Sequence, residues 1–164
     1  MVDLRRVFTW LAATLLLAAC AGKAPAPVVA EPSVDALVAE AAQALRAGRH
    51  DAALPRYEAA LERAPGRLDA MEGRALALLA AGRVDEARSG FEAVIAQAPT
   101  RWRALDGMGR LADRTGDYAT AQQWYERALS APGVDAVVWN NYGWSRVLAR
   151  DYSRAEKLLA QALQ

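Results

Sequence analysis

From Val34 onward, apolar and polar residues alternate with the period of amphipathic helices, and this pattern itself repeats every 34 residues. The repeat is clearest at Gly48, Gly82 and Gly116, which are 34 positions apart. In units that begin at residues 34, 68, 102 and 136, small or short apolar residues recur at the eighth, twentieth and twenty-seventh positions: Ala41, Ala75, Gly109, Gly143; Ala53, Ala87, Ala121, Ala155; Ala60, Val94, Ala128, Ala162. The twenty-fourth position is large and apolar: Tyr57, Phe91, Tyr125, Leu159.

Each unit is long enough for two antiparallel helices, so the pattern predicts eight helices. Glycine at the fifteenth position supplies the left-handed residue that ends the first helix of each pair. The predicted helices span 34–47, 52–63, 68–81, 85–97, 102–115, 118–130, 136–149 and 152–164. In the fourth unit Arg150 replaces this glycine, so we expect its turn to be less well formed. Ser33 is predicted to cap the first helix.

This pattern resembles the tetratricopeptide repeat (TPR), whose period is also 34 residues. The resemblance covers residues 34–164, with repeats at 34–67, 68–101, 102–135 and 136–164. It implies an all-α fold, a solenoid of four helix-turn-helix repeats. It also implies that the first helices of the repeats line a concave surface for a partner.

The N-terminal residues follow a different pattern. Arg5 and Arg6 precede an apolar run at residues 7–17, which has the length of a signal peptide and is too short to span a bilayer. Small residues then lead to the only cysteine, Cys20, and this stretch resembles the bacterial lipobox. The resemblance implies that residues 1–19 are a lipoprotein signal peptide and that Cys20 carries the lipid. Ordinary secretory cleavage and a twin-arginine export signal remain alternatives.

Residues 20–33 follow the predicted cleavage site and contain three of the seven prolines, so they are predicted to form a flexible tether between the lipid and the TPR domain. Residue 21 is Ala rather than the Asp that retains many such lipoproteins in the inner membrane. The lipoprotein resemblance therefore implies the periplasmic face of the outer membrane. Two or three acyl chains would make that attachment almost permanent.

The charge balance argues against nucleic acid as a partner. The chain has 20 basic and 19 acidic side chains, and the segment before Cys20 holds two of the former and one of the latter, so the rest is balanced. A single cysteine and a single histidine, His50, offer no metal-ligand spacing. We find no catalytic set and no phosphate-binding glycine loop, and therefore predict a protein that is not an enzyme, with no cofactor and no small-molecule substrate.

The predicted partner-binding groove lies on the first helices of repeats three and four. The third repeat offers arginines that can bind carboxylates, and the fourth offers an apolar shelf beside an amide. The candidate residues are Arg103, Arg110, Arg114, Asn140, Trp144 and Leu148. Two alternatives stay open: the arginines pair with Asp106 and Asp113 on a solvated face, and Trp144 packs within its own repeat or at the open C-terminal end.

The C-terminal end of the solenoid is predicted to be uncovered. No polar helix follows Leu158, Leu159 and Ala162 in the sequence. An open apolar end of this kind indicates an interface, a truncated chain, or a small exposed patch that the protein tolerates.

The segment Trp139–Trp144, with the sequence WNNYGW, is similar to a late TPR helix of type IV pilotin lipoproteins. A lipobox followed by few repeats is also similar to the lipoprotein of tight-adherence (Tad) pilus systems. These resemblances imply binding of a secretin or another pilus or secretion component. An envelope adaptor for peptidoglycan hydrolases, proteases or outer-membrane protein assembly is the alternative. Chaperone C-termini are not expected as partners, because Val38 and Ala42 stand where their carboxylate clamp needs Lys and Asn.

Overall fold

The computed structural model describes residues 31–164, and this part of the chain forms eight α-helices and no strand. The helices are α1 Val34–Arg46, α2 His50–Arg63, α3 Leu68–Ala80, α4 Val84–Gln97, α5 Trp102–Arg114, α6 Tyr118–Leu129, α7 Ala136–Leu148 and α8 Tyr152–Gln161. The predicted all-α solenoid is confirmed, and the helix boundaries differ from the predicted ones by at most three residues. The predicted signal peptide, the lipid attachment at Cys20 and most of the tether lie outside the described residues.

None of these eight helices combines the length and the apolar character that crossing a membrane requires.

The turns inside the first three repeats depend on glycines with positive φ. Gly48, Gly82 and Gly116 have φ angles of 70°, 82° and 76°. Arg150 adopts the same conformation, with a φ of 60°. Its N–H donates to the carbonyl of Val147 at 3.0 Å, and the Gly82 N–H makes the equivalent bond at 3.1 Å. The expectation of a less well formed fourth turn is therefore wrong, because the arginine takes up the left-handed conformation at the cost of backbone strain.

Several helices begin at a side-chain cap. The Ser33 hydroxyl accepts a hydrogen bond from the Ala36 N–H at 3.1 Å, which confirms the predicted cap of α1. Aspartates do the same for the last three helices, with Asp117 at α6, Asp135 at α7 and Asp151 at α8. Each cap satisfies one backbone donor that the helix leaves free.

The large residue at the twenty-fourth position joins the helices of its own repeat. The Tyr125 ring lies so close to Gly109 that a Cβ on this glycine would come within 2.8 Å of it. Leu159 lies equally close to Gly143, with a corresponding distance of 2.7 Å. A small residue at the eighth position and a large one at the twenty-fourth thus meet where the two helices of these repeats cross.

The same large residues also join one repeat to the next. Gly73 lies against the ring of Tyr57, and Gly107 lies against the ring of Phe91, so neither glycine has space for a Cβ. Between the third and fourth repeats, the rings of Tyr125 and Tyr142 stack with centroids 5.4 Å apart. The first helices α1, α3, α5 and α7 consequently lie side by side in one row.

Candidate functional site

A concavity of about 260 Å³ lies on the row of first helices and is lined by three successive repeats. We call it the groove, and its lining residues are Leu79, Ala80, Arg110, Asp113, Arg114 and Leu148. Three of the six predicted site residues, Arg110, Arg114 and Leu148, therefore lie in one concavity. The solenoid brings them together because α5 lies between α3 and α7.

The two groove arginines have no carboxylate within ion-pair distance among residues 31–164. Asp113 instead accepts hydrogen bonds from the Tyr125 hydroxyl at 2.8 Å and the Ser145 hydroxyl at 2.6 Å. The alternative in which aspartates of α5 pair with these arginines is thus not what the structure shows. The guanidinium groups of Arg110 and Arg114 can bind a carboxylate from outside.

Asp106 of α5 is buried, with 4% of its surface exposed. Its two carboxylate oxygens accept hydrogen bonds from Asn141 Nδ2 at 2.9 and 3.2 Å. Burial raises the pKa of Asp106 to about 6, against the lowering effects of the Asn141 hydrogen bond and the Arg110 charge. This contact ties α5 to α7.

Sequence reasoning missed Asn141 and chose its neighbour Asn140. Asn141 occupies the sixth position of its repeat, where the two preceding repeats have Gly73 and Gly107. A large polar residue in a position reserved for close packing was the signal that could have identified it. Asn140 is exposed and lies on a different surface.

That surface, which we call the terminal face, is a concavity of about 450 Å³ on α7 and the C-terminal residues. Asn140 and Trp144 line it together with Val137, Leu159 and Leu163. Trp144 is 56% exposed and Leu148 is 55% exposed, so neither packs fully within its repeat. Trp144 and Leu148 also share a smaller concavity of about 200 Å³ with Arg110, which connects the apolar shelf to the groove.

Leu158 does not belong to the terminal face. It is buried in the core of the last two repeats, so the expectation that it would be uncovered is wrong. Its position on α8 points it at α7, whereas Leu163 lies beyond the end of the helix and is 89% exposed. The apolar surface at this end is therefore smaller than predicted.

Arg103 is not one of the groove residues. Its Nε lies 3.7 Å from Oε1 of the buried Glu72, and its guanidinium lies over the Trp102 ring at 4.3 Å. Arg101 binds the same carboxylate more closely, at 2.6 Å. Burial raises the pKa of Glu72 although both arginines lower it. Arg103 helps to neutralise a buried charge, which its place in the sequence did not reveal.

Arg146 is a further charged residue that the sequence analysis did not single out. It is buried, and it donates hydrogen bonds to the Tyr118 carbonyl at 2.6 Å and to Gln122 Oε1 at 3.0 Å. These bonds join α7 to the first turns of α6. They hold the helix that carries Trp144 and Leu148 against the third repeat.

Comparison with known families identifies the fold. The model of the tetratricopeptide repeat matches residues 44–111 and 78–143, which together make up more than half of the 164 residues. The chain belongs to the tetratricopeptide repeat family. TPR domains are generally non-enzymatic scaffolds that bind other proteins, and the groove described above lies on the helices that such scaffolds use. No curated protein matches the chain.

Solved TPR structures resemble the described solenoid. The TPR protein TTC0263 of Thermus thermophilus is 22% identical, with a TM-score of 0.74 over 80% of this chain and 73% of that one. The TPR domain of Sgt2 from Aspergillus fumigatus is 23% identical, with a TM-score of 0.64 over 76% of this chain and 83% of that one. MamA from Desulfovibrio magneticus is 18% identical, with a TM-score of 0.63 over 81% and 75%. At these identities the likeness establishes the TPR fold.

Proposed function

We propose that this protein is a lipid-anchored TPR scaffold that captures a protein partner at the periplasmic face of the outer membrane. The favoured partner is a secretin or another component of pilus or secretion assembly. The observation that carries the binding role is the groove, where two arginines without an ion pair among residues 31–164 lie beside exposed apolar side chains. The anchor at Cys20 and the kind of partner rest on the lipobox and pilotin resemblances.

The groove chemistry defines the segment that it would bind. Arg110 and Arg114 favour a carboxylate, from an acidic side chain or a chain terminus. Leu79 and Leu148 line the same concavity and favour an apolar side chain next to that carboxylate. Trp144 lines an adjoining concavity together with Arg110 and Leu148, and tryptophan is a residue type that often dominates interface energy. The partner segment is thus a short acidic and apolar stretch.

The membrane anchor would restrict the TPR domain to the membrane surface while it diffuses to a partner. Lipid chains on Cys20 would hold the protein at the membrane surface, and the tether would let the TPR domain reach a partner emerging nearby. Confinement raises the effective concentration of the groove near the membrane. A modest intrinsic affinity is then sufficient for capture.

The first experiment tests the kind of partner and the need for the anchor. Tagged full-length protein and its Cys20→Ser variant are expressed in the native host and purified from detergent-solubilised envelopes, and bound proteins are identified by mass spectrometry. We expect a secretin with the unaltered protein and its loss with Cys20→Ser. Recovery of peptidoglycan hydrolases, proteases or assembly factors instead would assign the envelope-adaptor function.

The second experiment tests the groove. We expect Arg110→Ala combined with Trp144→Ala to weaken capture of that partner at least tenfold while helical content and thermal melting stay unchanged. Arg88→Ala combined with Tyr152→Ala is the matched control, since Arg88 is half-buried like Arg110, Tyr152 is exposed like Trp144, and neither lines the groove or the terminal face. Equal capture by both double variants would show that the groove is not the binding site.

A further inference from the structure

A concavity of about 460 Å³ lies where α2, α3 and α4 meet, and it shares no lining residue with the groove. Leu61 and Met71 form apolar walls, and Gly90 and Ala93 form its side on α4. Arg74 and Ser89 are polar groups at the same cavity. We call it the interrepeat cavity, because it opens at the interface between the first and second repeats. Its volume lies within the range of about 300–1,000 Å³ that is common for binding sites.

The next interface along the solenoid shows what fills such a space. Gly90 is the twenty-third residue of the second repeat, and the equivalent residue of the third repeat is Trp124. Trp124 is half-buried and packs against both hydrophobic clusters of the protein. The guanidinium of Arg127 lies 4.5 Å from the centroid of its ring. In the second repeat the residue equivalent to Arg127 is Ala93. The second repeat therefore lacks both the tryptophan and the arginine of this stacked pair.

The chain cannot readily fill the interrepeat cavity from position 90 itself. A Cβ on Gly90 would come within 2.9 Å of the Ala75 Cβ. In the third repeat the residue equivalent to Ala75 is Gly109, and the second helix of that same repeat carries Trp124. The second repeat thus has a side chain at Ala75 and none at Gly90, whereas the third repeat has none at Gly109 and a large one at Trp124. The second repeat keeps a space that the third repeat closes.

We propose that the interrepeat cavity binds a tryptophan side chain of another protein. The cavity continues the interface between two repeats, and the neighbouring interface holds an indole at the same register. Arg74 is positioned to take the role of Arg127, since its Nε is held by Glu58 Oε1 at 3.3 Å at the side of the cavity. Ser89 and Glu86 provide oxygen atoms that can accept a hydrogen bond from the indole N–H.

This site is separate from the proposed groove, and the two can succeed or fail independently. The groove recognises a carboxylate beside an aliphatic side chain through α3, α5 and α7. The interrepeat cavity recognises one aromatic ring through α2, α3 and α4. A partner that used both would contact the solenoid at two places, and the avidity of such a contact would exceed that of either site.

The test uses the full chain in detergent and N-acetyl-5-fluorotryptophanamide as the probe, with binding followed by the fluorine relaxation of the probe. The fluorine signal distinguishes the probe from the five tryptophans of the chain. We expect binding to the unaltered chain, and at least tenfold weaker binding of N-acetyl-leucinamide in competition. Equal competition by the two amides, or no binding of the probe, would overturn the proposal.

Two variants close the interrepeat cavity in different ways. Ala75→Gly with Gly90→Trp copies the pair of the third repeat, and Ala93→Phe places a ring in the cavity from an exposed position. We expect each to weaken probe binding at least tenfold. Ala96→Phe adds a ring at another exposed position of α4 that does not line the cavity, and it should bind as the unaltered chain does.

A further variant separates this site from the exposed aromatic surface elsewhere. Arg110→Ala with Trp144→Ala should leave probe binding unchanged. Loss of binding in that variant, or undiminished binding in folded Ala93→Phe, would place the probe outside the interrepeat cavity and overturn the proposal. Circular dichroism identifies the folded variants, and Ala93→Phe keeps the test decisive if the double substitution does not fold.

Discussion

Asn141 donates from its amide nitrogen to both carboxylate oxygens of Asp106, and this contact joins α5 to α7. The amide cannot fully replace the water that the carboxylate loses on burial. The pKa of Asp106 is therefore raised from 3.8 to about 6. Its charged form is costly in the folded protein.

This cost makes the folded protein less stable at neutral pH than in mild acid. Because the pKa is raised in the folded state, the contribution of Asp106 to stability is fully present below its unfolded pKa and is lost as pH rises through about 6. The variant Asp106→Asn keeps an oxygen acceptor for Asn141 but cannot ionise. We expect the free energy of unfolding of this variant to change by up to about 3 kcal/mol less between acid and neutral pH. Urea unfolding at pH 4 and pH 7.5 measures it. An unchanged pH dependence in the variant would contradict the prediction.

The close contact of Gly109 with Tyr125 gives a second prediction. Gly109→Ala would place a Cβ within 2.8 Å of the ring, and overpacking of this kind destabilises by about 1–3 kcal/mol. Gly66→Ala is the control, because nothing lies within 4 Å of a Cβ at that position. Thermal unfolding of the two variants should separate them clearly. Similar melting temperatures would show that the crossing of α5 and α6 can widen without cost.

The strained turn of the fourth repeat gives a third prediction. Arg150→Gly should raise the free energy of unfolding by about 1 kcal/mol, since glycine adopts a positive φ without the penalty of a Cβ. Gly116→Ala should lower it by a similar amount, because Gly116 has a φ of 76° and no neighbour within 4 Å of its Cβ position. Chemical denaturation of both variants is the measurement. A destabilising Arg150→Gly would mean that the arginine side chain contributes more than its backbone costs.

The hydrogen bond from Ser145 to Asp113 gives a fourth prediction. The serine is fully buried, and its hydroxyl lies 2.6 Å from Asp113 Oδ1. Ser145→Ala should destabilise the protein by about 1.5–3 kcal/mol, because the Asp113 carboxylate loses one of its two hydroxyl donors and keeps only Tyr125. Ser153→Ala, at an exposed position of α8, should change stability by less than about 0.5 kcal/mol. Equal unfolding midpoints would show that water replaces the hydroxyl.

The fold was predictable because its signals repeat in register. Gly48, Gly82 and Gly116 mark the turns, and Tyr57, Phe91 and Tyr125 mark the helix crossings, so each unit supports the interpretation of the others. The backbone strain at Arg150 was visible as a broken pattern, although its effect on the turn was misjudged. Periodicity indicates which residue types are usual at a backbone position, but the left-handed position of the fourth turn also accepts an arginine.

The site was predictable only in part, because it depends on contacts between repeats that no period encodes. The row of first helices was enough to place Arg110, Arg114 and Leu148 together. It did not show that Glu72 holds Arg103, or that Ser145 and Tyr125 hold Asp113. These bonds depend on the rotation of individual side chains between neighbouring helices, and two residues of equal register can point at different partners.

The two hydrophobic clusters of the solenoid are linked through few side chains. Ile95 and Trp124 are partly buried against both of them, one cluster extending from α1 into α5 and the other from α5 to α8. Cooperativity in a linear array passes from neighbour to neighbour, so these two residues are where it is most easily interrupted. A weakened junction would leave the C-terminal half, which carries Trp144 and Leu148, free to open while the N-terminal half stays folded. Local opening of the C-terminal half would then release a bound partner without global unfolding of the solenoid.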